Sequence, residues 1–297
     1  MMRGMYSAIS GLKSQQTMLD VAANDLANVN TVGFKGGRVT FKDALQQTLK
    51  TSSASGAGVG GTNAEQIGLG ASVGTIDNNM SAGAVQATGN ALDVAIQGDG
   101  WFRAGPGNPT PGTPTAGTPP TAQITYTRAG NFTRNDNGYL VTANGDYVLG
   151  RDAPGGANDL FLQIPAGASD VAIAQDGAVS FVPPAGYTQP AGLPAIVNGR
   201  AICGYLSLAK FPNDAGLERL TSNRWRASAN TGAETVNTPG GGGGTYGTTT
   251  AGAIEMSNVD LATEFTMMIT AQRGFQANSR VISTADQMLQ DLVNLNR

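Results

Sequence analysis

The chain holds 297 residues with a net charge of −3; 13% are charged, 42 are glycine, none is histidine, and Cys203 is the single cysteine. Without histidine the commonest general base and the commonest metal ligand are missing, and one cysteine builds neither an internal disulfide nor a thiolate metal cluster. The charge balance gives no reason to expect nucleic acid or acidic lipid as a partner, and a surface so poor in charge, exposing Ala, Ser, Thr, Gly and Asn, suits a protein surrounded by copies of itself.

No apolar run is long enough to span a membrane. Arg3, Ser10, Lys13, Gln15 and Gln16 interrupt any secretory signal core. A cytosolic protein is expected, or one that leaves the cell without a cleaved signal. From Met1 to about Asn30 the spacing predicts a heptad helix. Met5, Leu12, Leu19 and Leu26 form one row; Met2, Ile9, Gln16 and Ala23 form the other. Asn28, Asn30, Thr31 and Gly33 supply its stop signals. A short helix is predicted over Phe41 to Leu49, followed by a Ser/Gly/Ala linker from Thr51 to Gly61. Gly56, Gly58 and Gly61 match a dinucleotide fingerprint, but no strand precedes them and no helix follows, so none is expected to bind a cofactor.

Between about Gly68 and Arg226 the apolar period changes to two. Asn137-Gly138, Asn144-Gly145 and Asp176-Gly177 are hairpin signals between such runs. Many short strands with Gly/Asn turns predict an all-β domain of sandwich or barrel type. The stretch Asn135 to Gly138 has some features of a calcium loop, but Thr133 and the lack of a closing Glu favour a hairpin turn. Asp93, Asp99 and Asp176 sit by predicted turns, where Asp is expected without any catalytic role. Two Pro-rich loops, Ala104 to Thr121 and Pro183 to Pro194, interrupt the strands, and Thr238 to Gly252 reads as a flexible Gly/Thr tether.

The last segment, Met256 to Arg297, is a second heptad helix. Leu261, Met268, Phe275, Ile282 and Leu289 form an unbroken row beside Phe265, Gln272, Ser279, Asp286 and Val293. Ser257 with Asp260 reads as its capping signal. At 1.5 Å per residue it would run on the order of 50 Å, more than a domain of this size needs. Two readings of the end helices stand: docking on a globular core, or pairing with each other. The lone polar positions Gln16 and Gln272 would then match and set register. The chain thus divides into an N-terminal helix (1–33), an intermediate segment (34–80), a β-rich outer domain (81–237), a tether (238–256) and a C-terminal helix (257–297). The fold class is α+β: paired heptad helices forming a coiled coil, plus a mainly antiparallel β domain.

Several long motifs resemble one family. They are Met2 to Leu12 (MRGMYSAISGL), Ala23 to Lys35 (ANDLANVNTVGFK), Ala91 to Phe102 (ALDVAIQGDGWF), Tyr126 to Phe132 (YTRAGNF) and Ser257 to Leu261 (SNVDL), with Ala271-Gln272-Arg273 and Ala277-Asn278-Ser279. Together they are similar to the bacterial flagellar axial proteins, the rod and hook subunits. Gly60 to Gly70, Glu264 to Thr266 and Arg280 to Ile282 look like hook proteins. The segment that stiffens the distal rod, expected near this first stretch in rod proteins, does not appear. The resemblance therefore implies the hook subunit, with the distal rod subunit as the alternative and a β-rich adhesin as a remote one. It implies a homopolymeric tube with the terminal helices inside and the β domain outside, at the hook or basal body. It also implies type III export, a hook cap during assembly, and contact with rod and hook-filament junction proteins. Met5, Ile9, Leu12, Leu19, Leu26, Leu261, Phe265, Met268, Phe275, Ile282 and Leu289 would form the self-assembly seam. Cys203 is read as a small apolar residue in a strand; the resemblance adds a lysinoalanine crosslink as the alternative, although no lysine lies between Lys50 and Lys210.

Overall fold

The computed structural model describes residues 2–54, 56, 60–107, 123–156, 158–189, 193–194, 196 and 199–295. Most of the first Pro-rich loop, Gly58 of the glycine pattern, Pro190 of the second loop and the Met2 side chain lie outside the described residues. The chain forms two compact units. One comprises Met1–Asn28, Gly36–Asn79 and Val259–Arg297; the other comprises Val29–Lys35 and Met80–Asn258.

In the first unit an N-terminal helix (Met2–Ala27) packs against a C-terminal helix (Leu261–Leu295). The helices run antiparallel, because Gly11 approaches Asn278 while Gln15 approaches Gly274. The C-terminal helix starts where Asp260 caps it. The Ala262 N–H donates to Asp260 Oδ1 at 3.0 Å and the Thr263 hydroxyl to Oδ2 at 2.9 Å. Those bonds, the Thr263 hydroxyl foremost, hold the Asp260 pKa below the usual carboxylate value. Ser257 lies outside the helix and is not the cap.

Among the described residues, the remaining elements of this unit are four strands. β1 (Gly37–Asp43) pairs antiparallel with β4 (Ala71–Asn78), and β2 (Gln46–Lys50) pairs with β3 (Glu65–Gly68). The helix predicted over Phe41 to Leu49 is therefore absent. Val39, Thr40 and Phe41 favour extended backbone, and β4 supplies the ladder that an isolated window cannot reveal. β1 and the start of β4 have their own bonds to the N-terminal helix. The Gly37 N–H donates to the Asp25 carboxylate at 2.8 Å and the Ala71 N–H to Ser10 Oγ at 3.2 Å.

The second unit is β-rich. Its strands in chain order are β5 (Val85–Ala87), β6 (Val94–Gln97), β7 (Trp101–Gly105), β8 (Thr125–Thr127), β9 (Thr133–Arg134), β10 (Leu140–Val141), β11 (Tyr147–Arg151) and β12 (Asp159–Phe161). There follow β13 (Ser169–Ile173), β14 (Ala178–Val182), β15 (Ala201–Leu206), β16 (Leu208–Lys210), β17 (Glu218–Arg219), β18 (Arg224–Arg226), β19 (Thr235–Asn237), β20 (Thr248–Ala251) and β21 (Ala253–Glu255). The main sheet has the spine β13-β14-β15-β11-β7-β8-β18-β17, and its pairings are antiparallel. The three expected hairpin signals all turn the chain: Asn137-Gly138 joins β9 to β10, Asn144-Gly145 joins β10 to β11, and Asp176-Gly177 joins β13 to β14. Asn135 belongs to the first of these turns, accepting the Tyr139 N–H at 2.8 Å through its side chain.

Two apolar clusters fill the unit. One gathers Val94, Phe102, Phe132, Leu162, Phe181 and Leu206; the other gathers Trp101, Tyr126, Phe161, Phe211 and Trp225. Edge-to-face pairs such as Tyr126–Phe211, 4.8 Å between centroids, add specific geometry to that burial. The expected tether ends in strands: β20 pairs with β6 and β21 with β5. Thr248, Thr249 and Thr250 are β-branched, and the exposed ladder groups of β6 give them a partner.

Candidate assembly surface

The two long helices meet along small and polar residues. Ala8, Ser14, Ala22 and Asp25 are the buried positions of the first; Glu264, Ala271 and Ala285 are those of the second. At Gly11 an added Cβ would lie 2.7 Å from Asn278 Nδ2, and at Gly274 one would lie 2.9 Å from Gln15 Cδ. Glycine at both places leaves room for the Asn278 and Gln15 side chains of the facing helix.

The predicted apolar rows therefore flank this contact. Met5, Leu12, Leu19 and Leu26 are half-buried, as are Met268, Ile282 and Leu289. Ile9 is 39% exposed, Leu261 43%, Phe265 49% and Phe275 40%. The fully buried positions of both helices all lie off the expected rows. Gln16 and Gln272, expected to match in the seam, are both exposed. Gln15 takes the inner position instead. Its Oε1 is buried without a hydrogen bond, as is Oε2 of Glu264. Burial, then the charges of Asp25 and Asp260, push the Glu264 pKa above the usual value.

Outside that contact the first unit displays large apolar side chains. Among the described residues, every exposed large hydrophobic except Val85 and Ile196 belongs to it. They line the C-terminal helix from Leu261 to Leu295. Others are Tyr6 and Ile9 on the N-terminal helix, and Phe41, Leu45, Leu49, Ile67 and Ile76 on the strands. Every residue of β2 and β3 is exposed. A two-stranded ribbon with no buried face is marginal in water.

The other candidates of the sequence are occupied locally. Asp93 accepts from Thr88 and Asn90, Asp99 pairs with Lys210 at 2.9 Å, and Asp176 accepts the Ala178 N–H at 3.1 Å. Among the described residues, no group of three or more His, Cys, Asp or Glu side chains could hold a metal ion. Cys203 is buried in β15 within the first apolar cluster. Burial pushes its thiol pKa up to about 12, away from the thiolate that a crosslink would require.

Comparison with known proteins matches three stretches of the chain. Residues 5–35 match the family described as flagella basal body rod protein. Residues 95–181 match the D1 domain of flagellar hook protein FlgE/F/G, and residues 250–295 the C-terminal part of flagellar basal body rod FlgEFG protein. The flagellar basal-body rod protein FlgG of Bacillus subtilis is 48% identical over the whole of both chains. That of Caulobacter vibrioides is 36% identical over 97% of each. The flagellar hook protein FlgE of Borreliella burgdorferi is 28% identical, in an alignment 442 residues long that takes in 99% of this chain and all of the hook protein. The chain belongs to the flagellar FlgE/F/G family of rod and hook proteins, structural proteins of the flagellum that assemble into polymeric axial structures.

Proposed function

We propose that the chain is a rod subunit of the flagellar basal body, the distal rod subunit of the alternative reading, and that it polymerises through its helix-bearing unit. The observation that carries this is length together with identity. The B. subtilis rod protein aligns end to end at 48%, whereas the hook protein needs a 442-residue alignment and reaches 28%. The findings thus favour the rod over the hook expected from the motifs.

The physical route to a polymer is apolar surface that one copy cannot bury. A contact that joins different patches of identical subunits and does not close on itself propagates as a helical filament. Phe265, Phe275, Ile282 and Leu289, with Ile9 and the Met5–Leu26 row, would be covered by neighbouring copies, their terminal helices pairing as coiled coils in an inner layer. Export through the type III apparatus, and contacts with adjoining rod and hook subunits, complete the reading. Electron microscopy of basal bodies from a strain lacking this gene tests it. Rods cut short, with no hook, are expected; complete rods ending without a hook would return the assignment to the hook subunit.

A further inference from the structure

The chain passes between its two units at four places: after Asn28, Lys35, Asn79 and Asn258. Near three of them, within the β-rich unit, lies a buried ion cluster. The Lys35 ammonium donates to Glu255 Oε1 at 2.6 Å and to the Ser81 carbonyl at 2.7 Å. Arg128 reaches the other oxygen, Oε2, at 3.2 Å, and donates to the Gly98 carbonyl at 2.9 Å. The Gly83 N–H donates to Glu255 Oε1 at 2.9 Å. Lys35 and Glu255 are fully buried and Arg128 nearly so.

The backbone around these side chains is tied in the same way. The Gly33 N–H donates to the Glu255 carbonyl at 2.8 Å, and the Asn258 amide side chain donates to the Ser81 carbonyl at 3.1 Å. Gly33 itself is at φ +66°, where an added Cβ would lie 2.6 Å from the Ala129 backbone nitrogen, so this approach requires glycine. A carboxylate shared by two cations in a site closed to water is costly unless every partner is placed, and removing one leaves an uncompensated buried charge. Such a cluster is therefore either intact or badly perturbed, the property needed of a fastening.

We infer that Lys35, Glu255 and Arg128 are positioning residues for assembly: a clasp that holds together the chain segments leading to Gly36, from Asn79, and to Val259. Resting on the assembly reading above, this assigns the segment from Val32 to Lys35 to the clasp, inside the subunit and away from any contact between copies. The terminal helices are loaded through the clasp when the polymer carries force. Its partner is the chain's own β-rich unit.

Amide hydrogen exchange on the soluble full-length chain tests this in Glu255→Gln, with Lys35→Arg as a milder variant that keeps the charge. Exchange at Gly33 and Gly83 should quicken at least tenfold in Glu255→Gln, and by less in Lys35→Arg. Amides in β14 and β15 should keep their wild-type rates. Polymerisation should fall in the same order. Uniform loosening of clasp and core would reduce the cluster to ordinary stabilisation, and unchanged rates at Gly33 and Gly83 would remove it altogether. Selective loosening with normal polymer would overturn the positioning role. If wild-type chain never polymerises, the assembly reading fails alone, because the exchange contrast is read on the monomer.

Discussion

The two units differ in what they bury. Among the described residues, the buried apolar side chains of the helix-bearing unit are alanines: Ala8, Ala22, Ala271 and Ala285. Those of the β-rich unit include Trp101, Phe102, Phe132, Phe181, Leu206 and Trp225. Fully burying a Leu or Phe side chain contributes roughly 1.5–3 kcal/mol, so the β-rich unit carries its own core. The helix-bearing unit leaves its Leu, Phe and Ile half-buried or exposed, with Leu45 78% and Leu295 84% exposed. One copy alone leaves these side chains wet, and on the assembly reading neighbouring copies would cover them.

Substitutions in the two units should therefore fail differently. Phe181→Ala should destabilise the β-rich unit by about 3–5 kcal/mol, the usual cost of opening a cavity at a buried Phe, read as a lower melting transition of that unit. Phe275→Asp puts a charge on an exposed position and should shift subunit stability by no more than about 0.5 kcal/mol. Polymer should nevertheless be lost, because an unpaired charge is costly once neighbours cover it. Normal filaments from Phe275→Asp would break the comparison.

Smaller effects sharpen it. Gly274→Leu drives a side chain into Gln15 and should weaken the helix pair by about 1–3 kcal/mol through overpacking, visible as lost helical circular dichroism with the β signal intact. Glu264→Gln acts through pH. The folded Glu264 has its pKa raised, so its paired state binds protons that the unfolded chain has released. The helix pair is then most stable below the unfolded glutamate value of about 4.3 and weakens as pH rises through the folded value. Glu264→Gln should remove that loss; an unchanged pH profile would place the buried charge elsewhere. The slightest change concerns Cys203, which a thiol reagent should label only after the β-rich unit unfolds. Labelling of native protein would contradict its burial.

Much of this was readable from residue order. Period-two apolarity and the Asn-Gly and Asp-Gly pairs mark the antiparallel β-rich unit, because alternation and turn chemistry are local properties. Heptad spacing marks both long helices for the same reason. The fully buried helix positions are harder to read, because large apolar residues count most in a heptad, while the fit of Asn278 at Gly11 and Gln15 at Gly274 depends on side chains that are missing. The strand at Phe41 and those after Gly247 were missed because each needs a partner far along the chain: Ala71–Asn78 for one, Val94–Gln97 and Val85–Ala87 for the others.

Lys35 shows where the boundary falls. In sequence it is one more residue of a family motif, and lysine is rarely buried. Nothing local announces that Glu255 and Arg128 will enclose it, since 220 residues separate it from its carboxylate partner. The elements and their order follow from local steric and solvent preferences, which a short window contains. Which face of a helix is covered, and which charge is taken out of water, depends on contacts closed by the whole chain.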